Sequence, residues 1–203
     1  MKRTISGLFD TRDEASAAVT ELRKIGIAET DIGLVSNNSN GSHSEDTASD
    51  AAGDAGTGAG IGAAVGGVGG LLTGLGLMAI PGVGPVVAAG WLAATAAGAV
   101  AGAVVGGAAG GLVGALTERG IDKNDAHVYA EGVRRGGSLV TVSVGDEDIE
   151  AARSILQRGS IDVRSRESAY RDEGWSGFDE NAPVYTGEQI RTERDRYPRP
   201  GGV

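Results

Sequence analysis

The sequence predicts an α+β protein: a ferredoxin-like α/β sandwich built from two β-α-β halves, interrupted by a glycine-zipper helical hairpin and followed by a disordered C-terminal tail. Three observations point there. Strand-helix-strand patterns recur near both ends of the chain, an uncharged block rich in glycine and alanine separates them, and the last residues are charged, proline-bearing and nonperiodic.

In the first half, residues 1–36, positions 4–10 read as a short strand. Thr11 and Glu14 have capping-box spacing, and Ala15, Ala18, Val19, Leu22 and Ile25 fall on one face of a helix over about 11–25. Gly26 stops that helix, and residues 31–36 form a second strand candidate. Residues 37–54 are small and polar without periodicity, the grammar of a flexible linker.

The block at 55–117 contains no charged residue, and 20 of its 63 positions are glycine and 17 alanine. Gly58, Gly62, Gly66, Gly70 and Gly74 recur every four residues. Beyond Pro81-Gly82-Val83-Gly84-Pro85, so do Gly98, Gly102, Gly106, Gly110 and Gly114. Residues four apart share a helical face, so each ladder predicts a backbone groove into which another helix packs closely. Glycine costs up to about 1 kcal/mol per position in a solvated helix, so these helices need tight packing, a membrane or assembly.

Residues 118–166 return to ordinary patterning. Asp122 caps a helix carrying Ala126, Tyr129, Ala130 and Val133 that ends at Arg134-Arg135-Gly136-Gly137. Residues 138–144 alternate and are β-branched, the best strand of the chain. A helix over 146–157 turns Ile149, Ala152, Ile155 and Leu156 inward, and 161–165 reads as a closing strand. Neither half has the apolar surface to stand alone, so they are expected to fold against each other. Residues 167–203 form the acidic, aromatic tail, in which Tyr170, Trp175, Phe178, Tyr185 and Tyr197 either serve a protein partner or drape over the parent domain.

Composition excludes several functions. A net charge of -9 argues against nonspecific nucleic-acid binding and against recruitment to an anionic membrane by charge alone. With no cysteine there is no disulfide, thiolate nucleophile or cysteine metal site. Met1-Lys2-Arg3 runs into an amphipathic pattern without an apolar signal core, which predicts a cytoplasmic start.

His43 in the linker and His127 on the third helix read as ordinary surface or interfacial histidines. The carboxylates Asp13-Glu14, Asp122 with Asp125, and Asp146-Glu147-Asp148 all stand at helix starts, where capping and the dipole favour negative charge. An enzyme would need a polar pocket joining His127 to distant carboxylates. The glycine runs lack the lysine and hydroxyl of a phosphate loop. No catalytic residue, cofactor or metal site is expected; the functional residues are the ten ladder glycines, in a helix-packing role.

As helices, residues 58–80 and 86–117 would span about 34 and about 48 Å, against a hydrocarbon core of roughly 30 Å. The leading expectation is therefore a non-enzymatic structural protein whose hairpin inserts into or associates with a membrane and self-packs. Lipid would be a partner, with a cytoplasmic domain held at the inner membrane. The alternative is a soluble homo-oligomeric scaffold whose zipper helices stack between subunits.

Ile5-Ser6-Gly7-Leu8-Phe9-Asp10 with Glu14-Ala15, the stretch Tyr129 to Val142, and Trp175-Ser176-Gly177-Phe178-Asp179 with Glu188 to Arg194 resemble the bacterial general-stress and low-temperature-induced proteins. The resemblance covers nearly the whole chain. It implies a small α/β domain interrupted by a glycine zipper and protective or membrane-linked behaviour in stress. It supplies no catalytic residues.

Overall fold

The computed structural model of the chain describes residues 2–39, 76–93 and 111–197. Five strands form one antiparallel sheet: β1 (Arg3–Phe9), β2 (Ile32–Asn37), β3 (Gly76–Ile80), β4 (Gly84–Gly90) and β5 (Ser138–Val144), in spatial order β1-β5-β2-β4-β3. The helices are α1 (Arg12–Lys24), α2 (Gly111–Glu118), α3 (Lys123–Arg134), α4 (Ile149–Gln157), α5 (Val163–Asp172) and α6 (Gly187–Arg196).

Strand β5 lies between β1 and β2, pairing Leu139 with both Leu8 and Val35, and all seven of its residues are buried. Its alternation feeds two layers, because successive side chains leave a strand on opposite faces. On one face Val140, Val142 and Val144 meet Ala15, Val19 and Leu22 of α1 and Ala152, Ile155 and Leu156 of α4 within a single apolar cluster. On the other, Leu139 joins Leu8, Val35, Val86 and Ala88 beneath Leu112 and Leu116 of α2 and Ala126, Tyr129, Ala130 and Val133 of α3. Helix α1 begins as its capping box requires: Thr11 N–H donates to Glu14 Oε2 at 3.2 Å, and Glu14 N–H returns to Thr11 Oγ1 at 3.4 Å.

The mixed α+β class follows the sequence, but the sheet is not assembled from two β-α-β halves. Residues 161–165 do not close it. Ile161 N–H makes one bond to Leu8 O at 2.7 Å, and then Asp162 accepts from Ser165 N–H at 2.7 Å and starts α5. An N-cap acid ends the strand pattern there because its side chain satisfies a helix donor that a strand would leave to its neighbour.

The sheet grows instead on its other side, from within the uncharged block. Residues 76–80 and 86–90, expected in the two zipper helices, form a β-hairpin together with Gly84 and Pro85 of the expected break, with the backbone of Leu77 in register with Val87 and that of Met78 with Val86. The turn decides this. Val83 N–H donates to Ile80 O at 3.0 Å, with Pro81 and Gly82 in the middle positions and Gly82 at φ 73°, the pattern of a type II turn. β-Branched Val86 and Val87 then pair along β2, where helix would have left them crowded.

The membrane expectation is corrected by the same observation. Among the described residues no helix is long and apolar enough to cross a membrane, and part of each supposed span is strand. A transmembrane hairpin with lipid as its partner is therefore withdrawn, and placement at the inner membrane loses that basis.

The tail expectation is corrected as well. Helices α5 and α6 occupy much of 163–197, and Tyr170, Phe178 and Ile190 are buried. The aromatic residues drape over the parent domain.

Candidate interaction site

Two features outside the core hold chemistry: a strap running from α5 to α6, with the ion cluster that anchors it, and the open edge of the sheet at β3. The strap crosses the turn of the β3-β4 hairpin and the start of α2. A Cβ at Gly82 would lie 2.6 Å from Glu180 Cα and 2.7 Å from Asp179 O, so only glycine lets the strap pass this close. Phe178 N–H donates to His127 Nδ1 at 3.1 Å, and Arg134 Nη2 donates to Pro183 O at 3.0 Å. Phe178 itself completes the apolar cluster under α2 and α3.

Arg135, at the end of α3, is the anchor. Its guanidinium meets Glu131 at 2.7 Å, Glu173 at 2.8 Å and Glu193, and it stacks on Tyr170 at 4.0 Å. Glu131 is fully buried and is also held by Arg134 at 3.1 Å. Burial alone would make Arg135 easier to deprotonate, but hydrogen bonds to Glu131, Glu173 and Glu193 outweigh it and raise its pKa. Burial also opposes ionisation of Glu173, yet hydrogen bonds from Tyr197, Arg135 and Arg196 hold its carboxyl below the usual value. Burial and the bond to Glu173 push the Tyr197 phenol up to about 12. The cluster thus ties α3, α5 and α6 together with its charges matched. The Glu131-Arg135 spacing is a readable i, i+4 pair. Its partners Glu173 and Glu193 are distant in sequence, and no local pattern announces them.

At the far edge, β3 pairs only with β4 among the described strands. The strand is Gly-Leu-Met-Ala-Ile, without charge or proline, and Leu77 is 37% exposed. Lysine, proline and bulges are the usual guards of a sheet edge, and this strand carries neither lysine nor proline.

Of the ladder glycines, Gly58, Gly62, Gly66, Gly70, Gly74, Gly98, Gly102, Gly106 and Gly110 lie outside the described residues. Gly114 is buried in α2. His43 also lies outside them.

The pocket that enzymatic chemistry would need exists in outline. An open cleft of about 980 Å³ brings His127 near Asp122, Lys123, Thr117, Asp179 and Glu180. Three of the polar atoms there are already engaged. His127 Nδ1 accepts from Phe178, Thr117 Oγ1 donates to the carbonyls of Val113 and Gly114, and Asp122 Oδ1 accepts from Asn124 N–H at 2.8 Å. No nucleophile and base face each other in this set.

The other acidic groups are explained locally. Asp13 and Glu14 belong to the first turn of α1, and Asp146 makes a 3.6 Å exposed pair with Arg3. Burial, then Asp122 and Glu167, raise the carboxyl of Asp125, with Arg164 opposing. Among the described residues, no group of three or more histidine or acidic side chains is placed to hold a metal ion. No protein-family model, curated protein or solved structure matches the chain.

Proposed function

We propose that this chain is a non-catalytic, self-associating interaction module of the general-stress type, in which copies meet through the uncharged part of the molecule. The observation that carries the reading is β3: an apolar strand at the end of the sheet, with Leu77 exposed and no charge to turn a partner away. Copies carrying a net charge of -9 repel one another, and the 63 residues without a charge are where that repulsion is weakest. Edge pairing supplies backbone hydrogen bonds. The ladder glycines, stacked helix on helix between subunits, would add close van der Waals contact. The assignment to stress rests on the resemblance of the soluble motifs and of the strap sequence Trp175 to Asp179.

Sedimentation of the full chain from micromolar to submillimolar concentration tests the reading, with Leu77→Lys as the edge variant and Gly66→Leu with Gly106→Leu as the ladder variant. A concentration-dependent oligomer that either variant weakens is expected. A wild-type protein that stays monomeric throughout, or an oligomer indifferent to both variants, would sink it.

A further inference from the structure

We infer that the partner of β3 is β3 of a second copy, aligned antiparallel about a two-fold axis at Met78, so that the two sheets become one. The inference rests on the self-association proposed above and names its geometry. Backbone direction along the edge strand carries it. Pro85 O accepts from Asn38 N–H at 2.8 Å, so the Pro85 backbone turns toward β2 and away from β3. Ala79 stands opposite Pro85 and Leu77 opposite Val87. Hydrogen-bonded and non-bonded positions alternate along an antiparallel pair. Ala79-Pro85 and Leu77-Val87 are therefore non-bonded positions, and the N–H and C=O groups of Leu77 and Ala79 point out of the open edge.

Those groups set the register. With Met78 opposite Met78, Leu77 of each copy lies opposite Ala79 of the other, and every outward N–H and C=O of the two residues gains a partner. The neighbouring registers do not achieve this. Ala79 opposite Ala79 sets Leu77 against Pro81, which has no N–H, and Leu77 opposite Leu77 carries Ala79 past Gly76, the first residue of the partner strand. Leu77 and Ala79 are both exposed and share one sheet face, so the seam sets Leu77 beside Ala79. No charge lies in β3, the turn or β4, so the seam joins the parts of two acidic chains that repel least. The opposite edge of the sheet does not compete. Leu8 O already accepts from Ile161 N–H at 2.7 Å, and Lys2 and Arg3 stand where β1 begins. A β3-to-β1 contact would repeat head to tail into a fibre, whereas β3 to β3 uses up the open edge and stops at two copies.

The chain has no cysteine, so single substitutions report the pairing without background. Full-length Met78→Cys, Leu77→Cys and Ala79→Cys are treated with oxidised glutathione and read for covalent dimer, alongside sedimentation of the wild type. Met78→Cys should cross-link with itself, because a non-hydrogen-bonded pair sets its Cα atoms about 4.5 Å apart, within disulfide reach. Leu77→Cys and Ala79→Cys, each alone, should stay uncross-linked, because the same residue of the other copy lies diagonally at about 7–8 Å. Mixed together, those two should join across a bonded pair of about 5.5 Å, which decides the matter if Met78→Cys fails to fold. Self-cross-linking of Leu77→Cys or Ala79→Cys in place of Met78→Cys means parallel strands or another register, and overturns the pairing while self-association stands. An associating wild type in which neither Met78→Cys nor the mixture cross-links does the same. A monomeric wild type without cross-links in any arm removes self-association itself.

Discussion

Replacing Arg135 with methionine removes the charge that ties α3 to α5 and α6 while keeping a long apolar stem. In the intact protein its side chain is 8% exposed and faces Glu131, Glu173 and Glu193. After the change, Glu131, with 1% of its side chain exposed, keeps only Arg134 at 3.1 Å, and Glu193 keeps Arg196 at 3.3 Å. Removing one partner from a buried pair costs about 3–5 kcal/mol, because the remaining charge is stranded away from water. Each stranded carboxylate still has one arginine, so the lower end, about 3 kcal/mol, is expected. That is a large share of the roughly 5–15 kcal/mol of a typical domain. Urea unfolding followed by the fluorescence of Trp91 and Trp175 measures it as a lower midpoint at unchanged slope. The triple change Arg135→Met, Glu131→Gln, Glu193→Gln should recover most of the loss, since neutral amides need no counter-charge. A single-variant loss below about 1 kcal/mol, the worth of an exposed pair, would refute the argument that this cluster is buried and coupled.

Gly82→Ala places a Cβ at a residue with φ 73° and against the Glu180 backbone, which cannot move as a side-chain tip would. The left-handed conformation alone costs about 1–2 kcal/mol, and limited proteolysis should cut the strap between α5 and α6 faster; unaltered cutting would contradict the close passage. Acid should weaken the fold through Glu173 and Asp162. Both have lowered folded-state pKa values, so their stabilisation is complete above the ordinary 4.5 and 3.8 and is lost as pH falls through the lowered values. Glu173→Gln should flatten the fall in urea midpoint below about pH 4.5; an unchanged profile would remove Glu173 from the account.

Local signals located the elements whose ends carry their own chemistry. Thr11 with Glu14 marks the start of α1, and Asp122 and Gly136 bracket α3 closely enough that the structure moves their limits by about one residue. Strand β5 was equally plain, because its alternation serves two covered faces. Pattern failed where two periods compete. Within the uncharged block, four-residue glycine spacing was extended across Leu77, Met78, Val86 and Val87, although Pro81-Gly82 makes a turn that two strands can share. At Asp162 a short strand pattern and an N-cap overlap on the same residues, and the cap prevailed.

The site was less legible than the fold. The strap was visible as aromatics among acids, but its receptor is assembled from Gly82, Gly111, His127 and Arg135, which belong to different parts of the chain.

What the sequence determined by itself is short-range: caps, stops, the central strand, the amphipathic faces of α1, α3 and α4, and the charge-free character of the middle block. These depend on neighbours within about a turn, where backbone geometry sets the distances. Only the tertiary structure decided that the hairpin extends the sheet and that the tail folds back. Both outcomes rest on groups far apart in sequence: the backbone of β2, which pairs with β4, and the carboxylates of Glu173 and Glu193, which converge on one buried arginine. A strand's hydrogen bonds and a buried charge are satisfied across the fold, so no local pattern can say where the partner lies.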